Sequence, residues 1–443
     1  MLPSRIILSV SLFTLVALAC GSEKRDGFDN PTLGAGPGGG GGGQFNQQDA
    51  GDGGPAHPPI IGWMQGKVVA PEGTVPIRDA LVYLTTRDPD PIPGGVYCDT
   101  CVHLTPLEPY AYSKSDGTFE LAAYQTGRQY LVVQKGQFRR VREVDVVMGD
   151  QKVQADFTRL PSKTDPANRD NIPKIAMVDG GFDHIDYTMK KLGIEEFSRY
   201  GDAPFSVSGT PPGQKTGKNG NALMNDGAEF AKYHIVLLPC AAMGYSQADN
   251  GGRFTCGAPT GLQKTAFDGY VQAGGKLYVT DFAYEAVRQT WPGFITFYDD
   301  TMQEMTSTGA KVGQACRGGA ETTNGNAEDP GLKDWLTTIG HPNPELQAAW
   351  SRIASVSSQP GVDPAGKPIT IKPKVWMTSE VDGYGSLPAT VSFEQKCGRV
   401  LFSTYHCEGD DSSQLLAQEK ALLYILLEVG VCVGELPPPP PPR

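Results

Sequence analysis

The spacing of apolar residues changes near residue 170. From Ile60 onward, short apolar runs at 66–69, 80–84, 118–124 and 129–134 are rich in β-branched and aromatic residues and are separated by Pro, Gly and Asp. Runs of this kind predict strands. Ser115-Asp116-Gly117 supplies a turn signal before Thr118, because Asp and Gly tolerate turn geometry. No helical period lies between the runs, so an all-β sandwich over 60–161 is predicted. After a polar linker the pattern alternates. Residues 172–181 read as a buried strand ending in a Gly turn, and 184–194 have helical spacing with Gly193 as a stop. Residues 234–239 read as a second strand, 261–275 as an amphipathic helix closed by Gly274-Gly275, and 276–282 as a third strand. A late strand covers 398–406, and a long helix runs from Leu415 to Val431. Continuous apolar strands alternating with helices predict a doubly wound α/β domain over 172–433, with a parallel sheet covered on both faces. The stretch 301–372 is polar and Gly/Asn-rich with one helix at 329–340, and reads as an insertion over the ligand edge of the sheet. The predicted fold class is multidomain.

In parallel α/β sheets, ligands bind at the carboxyl ends of the strands. Those ends deliver Asp179, Gly180, Gly181, Asp183 and His184, then Cys240, then Asp281, Tyr284 and Glu285, and last Tyr405, His406, Cys407 and Glu408. Nucleophilic catalysis needs at minimum a Cys–His pair oriented by an acid, so Cys240, His406 and Glu408 are the catalytic candidates. Asp179, Asp183, Asp281 and His406 are the candidate ligand-binding set. The carboxylates of Asp179, Asp183, Asp186 and Asp281 offer the oxygen ligands that hard cations prefer. Their spacing matches no known loop, so no metal and no cofactor is expected. No G-x-S-x-G elbow, P-loop or H-E-x-x-H helix occurs. Trp63, Trp291, Trp335, Trp350 and Trp376 are scattered and read as core, with sugar stacking as the alternative.

Composition adds an address. The formal net charge of −11 argues against a nucleic-acid partner, which calls for a basic face. Of the 55 Gly and 36 Pro, the densest runs, Gly38–Gly43 and Pro437–Pro442, lie outside the predicted domains. Arg5 followed by the uncharged run Ile6 to Leu18, with Ala19 before Cys20, reads as a secretory signal. Its end resembles a bacterial lipobox, which implies a signal peptide at 1–19 and a lipid on Cys20; an ordinary secretory signal is the alternative. Residues 20–59 then form a Gly/Pro-rich flexible linker, and 434–443 a Pro-rich tail of polyproline II type. The expected location is the outer membrane or cell surface, with the lipid anchor holding the chain to a membrane.

Nine cysteines less Cys20 leave eight, an even count that favours disulfides in an exported chain. They are Cys98, Cys101, Cys240, Cys256, Cys316, Cys397, Cys407 and Cys432. The expected pairs are Cys98–Cys101, Cys240–Cys256 and Cys397–Cys432. Cys98-x-x-Cys101 also has metal and redox alternatives. A zinc site needs a second half that the chain lacks, and covalent haem needs His where Val102 stands.

The stretches 66–68, 75–82, 115–119 and 127–130 resemble the carboxypeptidase regulatory-like family, a transthyretin-like sandwich. That resemblance implies a non-catalytic accessory or binding module. Residues 233–240, 270–282 and 398–409 resemble class I glutamine amidotransferase-like folds and their trehalose-utilisation-type relatives. In active members the last strand ends in His-Pro-Glu, and that His activates a cysteine. Here His406-Cys407-Glu408 matches with Cys407 in place of Pro. The nucleophile position falls on Thr280-Asp281-Phe282, which has no cysteine and no elbow glycines. Cys240 stands where the family has a Gly-rich oxyanion loop, so the resemblance implies the fold rather than the activity. The whole layout is similar to a group of exported, myxobacterial-type bacterial lipoproteins. They share Cys397-Gly398-Arg399-Val400, His406, Gln418-Glu419-Lys420-Ala421-Leu422 and Cys432. The function expected is that of a membrane-anchored surface lipoprotein with a non-catalytic binding or cell-envelope role. Its partner would be a cell-wall or surface polysaccharide or an envelope protein. The alternatives are a hydrolase using Cys240 and His406 or a metal at the strand edge, and a structural envelope component.

Overall fold

The computed structural model describes residues 58–180, 182–201, 213–248, 253–298, 303–304, 311–312, 321–407, 414–427, 433 and 438–440. The signal peptide, Cys20, nearly all of the linker, Gly181, Cys316, Glu408, Cys432 and most of the Pro-rich tail lie outside them. Among the described residues no helix is long and apolar enough to cross a membrane.

The N-terminal part is built from two sheets. Gly62–Lys67 pairs antiparallel with Thr118–Ala123 and parallel with Gln151–Lys152. The second sheet runs Tyr110–Tyr112, Leu81–Thr85, Gly127–Lys135, Phe138–Val146, Asp170–Asn171. Leu81–Thr85 is buried at every position, as its unbroken apolar run requires. Phe138–Val146 escaped the sequence pattern because Arg139, Arg140, Arg142 and Glu143 interrupt its apolar positions. Phe138, Val141 and Val146 nonetheless turn inward. Arg140 and Arg142 both reach the Asp170 carboxylate, at 2.7 Å and 2.8 Å, which ties the last strand to its neighbour.

The C-terminal part is organised on a ten-stranded mixed sheet. Six parallel strands run in the order Gln214–Lys215, Ser198–Tyr200, Ile175–Val178, Ile235–Leu238, Lys276–Thr280, Gly398–Ser403. The direction of strand succession therefore reverses between Ile175–Val178 and Ile235–Leu238. Four further strands, Gly385–Gln395, Lys374–Val381, Glu321–Ala327 and Glu345–Ala349, continue the sheet antiparallel. The expectation of an all-parallel sheet is thus corrected. The stretch 301–372 supplies two of these strands rather than acting only as a cover. Its helix Pro330–Thr338 packs toward the N-terminal sheets, where Trp335 Nε1 donates to the Pro76 carbonyl at 2.8 Å.

The helix Gly261–Gln272 begins at a capping box between Thr260 and Gln263. It stops at Gly274, whose φ is +113°. A side chain there would start 1.9 Å from the Tyr97 carbonyl oxygen, so the glycine lets the loop 88–104 lie against the C-terminal part. Phe267, Val271, Leu277 and Val279, with Phe402 and Val400, fill the core between this helix and the sheet. The described residues of both parts belong to one compact unit.

The disulfides differ from the local pairs expected. Cys98 is bonded to Cys397, 299 residues away, with Cα atoms 5.0 Å apart. Cys101 and Cys256 are also disulfide-bonded, while Cys240 and Cys407 carry buried thiols. Cys98–Cys101, Cys240–Cys256 and Cys397–Cys432 are therefore not the pairs that form. The reason is the path of the 88–104 loop. His234 Nε2 meets the Pro93 carbonyl at 2.8 Å, and Lys276 Nζ lies 3.1 Å from Asp99. These contacts hold Cys98 at the turn that carries Cys397.

Candidate functional site

Three neighbouring parallel strands, Ile235–Leu238, Lys276–Thr280 and Gly398–Ser403, end on one edge of the sheet. Just past their ends stand Cys240, Asp281 and His406, whose donor atoms all lie within 4.8 Å of one another. Asp281 Oδ2 is 3.9 Å from Cys240 Sγ and 3.5 Å from His406 Nε2. Its other oxygen accepts the Ser351 backbone N–H at 2.6 Å. Asp281 has φ +42°, the left-handed region that Asp tolerates better than most residues. The sharp turn absent from the sequence pattern is therefore present without glycine, and the Asp281 carboxyl stands at the strand end.

Burial governs the protonation of this cluster. It pushes the Asp281 carboxyl well above the usual carboxylate range, with Asp183 adding to the effect against the Ser351 and Trp350 hydrogen bonds. It pushes His406 down to about 3, with His184 in the same direction and a backbone hydrogen bond to Phe182 opposing. With the imidazole of His406 neutral at neutral pH, its 3.5 Å contact with Asp281 is not an ion pair. The site is also closed, since Asp281 is 0% exposed and Cys240 and His406 are 1% exposed.

The four residues expected to form one ligand pocket have separate duties. Asp179 is held by Arg199, whose Nε and Nη2 donate at 3.0 Å and 3.1 Å. Asp183 clamps two strand ends, accepting from Thr280 Oγ1 at 2.5 Å and from the Cys407 backbone N–H at 3.0 Å. Only Asp281 and His406 share a site, and all four are buried. Asp186 is raised to about 6 by burial, opposed by Arg199. Cys407 has its thiol pushed up by burial and by Asp183 and Glu419. Glu408, the expected orienting acid, lies outside the described residues. In the described structure Asp281 stands between Cys240 and His406 instead.

Sequence reasoning did not find Ser351, which sits at no strand end of the parallel half. Gln418 entered only as part of a shared stretch with no role, and its side-chain amide donates to the His406 carbonyl at 2.5 Å. Two cavities lie away from the cluster. One of about 590 Å³ is bordered by Lys67, Thr74, Asp116, Lys191, Thr338 and Lys420. A void of about 10 Å³ is lined by Ser351 and Thr404 but by none of the three clustered residues. Lys191 is committed to Glu419 at 2.8 Å, half-buried Lys420 has its Nζ 3.0 Å from His341 Nε2, and Lys67 is exposed.

No protein-family model and no curated protein matches the chain. Among solved structures it is similar to a β-galactosidase from Bacillus circulans, at 10% identity and TM-score 0.31, covering 58% of this chain and 30% of that one. The chain thus spans less than a third of that enzyme's length. It is similar to a putative GMP synthase component from Thermoplasma acidophilum, at 8% identity and TM-score 0.31, covering 57% of this chain and 92% of that one. It is also similar to a putative ThuA-like protein from Bacteroides uniformis, at 13% identity and TM-score 0.30, covering 57% and 88%. Amidotransferase-like proteins are thus among its weak structural neighbours.

Proposed function

We propose that the chain is a membrane-anchored surface lipoprotein that binds an anionic polysaccharide of the cell envelope without turning it over. One observation carries this reading. The strand edge where an α/β sheet performs chemistry is sealed over Cys240, Asp281 and His406, while a cavity of about 590 Å³ lies elsewhere with the Lys67 and Lys420 ammonium groups at its border. A cavity of that size suits a few sugar units, and two lysines against Asp116 favour negative charge. On this reading residues 60–161 are a carboxypeptidase regulatory-like β-sandwich, 172–433 a degenerate amidotransferase-like domain, and Cys20 the anchor at the outer membrane or cell surface.

The test is titration of the purified mature protein with anionic and neutral envelope polysaccharides at low salt. Saturable binding to the anionic polymer is expected, weakened at least about tenfold by Lys67→Glu with Lys420→Glu. Equal affinity for the neutral polymer, or no effect of the charge reversals, would refute it. The mass of the N-terminal peptide tests the anchor, with a diacylglyceryl-modified Cys20 expected.

A hydrolase is the second reading, favoured by the convergence of Cys240, Asp281 and His406. It requires the backbone around Ser351 to lift from Asp281 before a substrate could enter.

A further inference from the structure

We propose that Cys240, Asp281 and His406 form a binding site for a thiophilic divalent cation of the zinc type. The inference is independent of the polysaccharide reading, which uses a different cavity.

The donor set comes first. One sulfur, one imidazole nitrogen and one carboxylate oxygen are ligands zinc takes, whereas calcium and magnesium call for oxygen alone. Distance comes second. Zinc bonds of about 2.0–2.3 Å in tetrahedral array set neighbouring donor atoms roughly 3.3–3.7 Å apart. The separations here are 3.5 Å for His406 Nε2 to Asp281 Oδ2 and 3.9 Å for Cys240 Sγ to the same oxygen. The third separation, between the Cys240 and His406 donor atoms, lies within 4.8 Å, so a bound ion draws the sulfur and the imidazole toward each other across Asp281. Among the described residues this is the one group of three with such spacing.

Support around the donors comes third. All three stand just beyond adjacent, register-locked strands rather than on long loops, which holds them near one geometry. Asp281 Oδ1 accepts from the Ser351 backbone N–H. Such a partner orients a metal ligand and leaves its opposite oxygen to the ion. Charge comes fourth. A thiolate and a carboxylate balance the two positive charges of the cation, with imidazole neutral, so the loaded centre carries no net charge in a site where a net charge is costly. Three protein donors are one short of a closed tetrahedral centre, so the fourth position falls to a water or a small ligand.

Because the site is closed, the whole mature protein is produced or refolded with Zn²⁺ or Co²⁺ present, and its metal content and absorption are measured. About one metal per chain is expected, with a thiolate-to-cobalt charge-transfer band. Cys240→Ser removes that band, and Asp281→Asn and His406→Gln lower affinity at least about tenfold, while Cys407→Ser changes neither readout. Circular dichroism confirms that each variant is folded. Should Cys240→Ser fail to fold, the parent's cobalt spectrum decides, since a bound cobalt without a thiolate band contradicts the site. Absence of stoichiometric metal, or a band that survives Cys240→Ser and vanishes with Cys407→Ser, overturns the proposal.

Discussion

Ser351 donates its backbone N–H to Asp281 Oδ1 at 2.6 Å, joining residues 70 apart in sequence. The bond lands on a residue with φ +42° whose carboxyl is fully buried. It secures the backbone of the elbow and the cover over it together.

Asp281→Asn keeps an acceptor for Ser351 and a side chain that tolerates left-handed backbone. Its stability is expected within about 1 kcal/mol of the parent. Asp281→Val removes the acceptor and forces a β-branched residue into the same conformation, which costs about 3 kcal/mol or more. Denaturant unfolding of the two variants checks this. Equal losses would mean that neither the hydrogen bond nor the backbone angle matters.

The Cys98–Cys397 bond closes a loop of 299 residues and joins the 88–104 loop to the sheet of the C-terminal part. Removing it as the double variant Cys98→Ala, Cys397→Ala is expected to cost about 2–5 kcal/mol and to open the 88–104 loop to proteases. Peptide mapping without reductant should recover Cys98 linked to Cys397. A recovered Cys98–Cys101 peptide would contradict the arrangement.

Gly274→Ala places a methyl carbon 1.9 Å from the Tyr97 carbonyl oxygen at a backbone φ of +113°. Strain and displacement of the loop should together cost more than about 2 kcal/mol. Gly340→Ala serves as the control, since it has φ +82° with no atom within 4 Å of the added carbon. It should show only the smaller backbone penalty in thermal unfolding.

His234 accepts the Lys174 backbone N–H at Nδ1, 2.8 Å, and therefore donates from Nε2 to the Pro93 carbonyl, also 2.8 Å. That arrangement requires a neutral ring, and burial lowers its pKa from 6.5, with Lys276 and Lys174 adding to the effect and the Pro93 bond opposing it. The unfolded chain then takes up a proton below about pH 6.5 that the folded ring refuses, so stability is lost as pH falls from that point toward the folded pKa. His234→Asn retains an acceptor for Lys174 but cannot titrate. The stability gap between parent and variant should narrow as pH drops from about 7 to about 5. A constant gap would show that this imidazole is not linked to folding.

Much of the architecture was legible along the chain. Apolar runs such as 234–239 and 276–282 are local signals, and they placed Cys240, Asp281 and His406 at strand ends before any pairing was known. The strand Phe138–Val146 was missed because paired arginines hide its buried positions. The antiparallel half of the sheet was missed because its strands run through a polar stretch whose burial comes from neighbours rather than from its own composition.

By itself the sequence determined the alternation of strands and helices, the stops at glycine, and the residue types available at each strand end. Those depend on neighbours a few positions apart, where backbone preference and apolar spacing act directly. Tertiary structure alone decided which ends became adjacent, that Cys98 met Cys397 and not Cys101, and that Ser351 closed over Asp281. Contacts across 70 or 299 residues depend on strand register and on the path of the chain, and no local spacing encodes either.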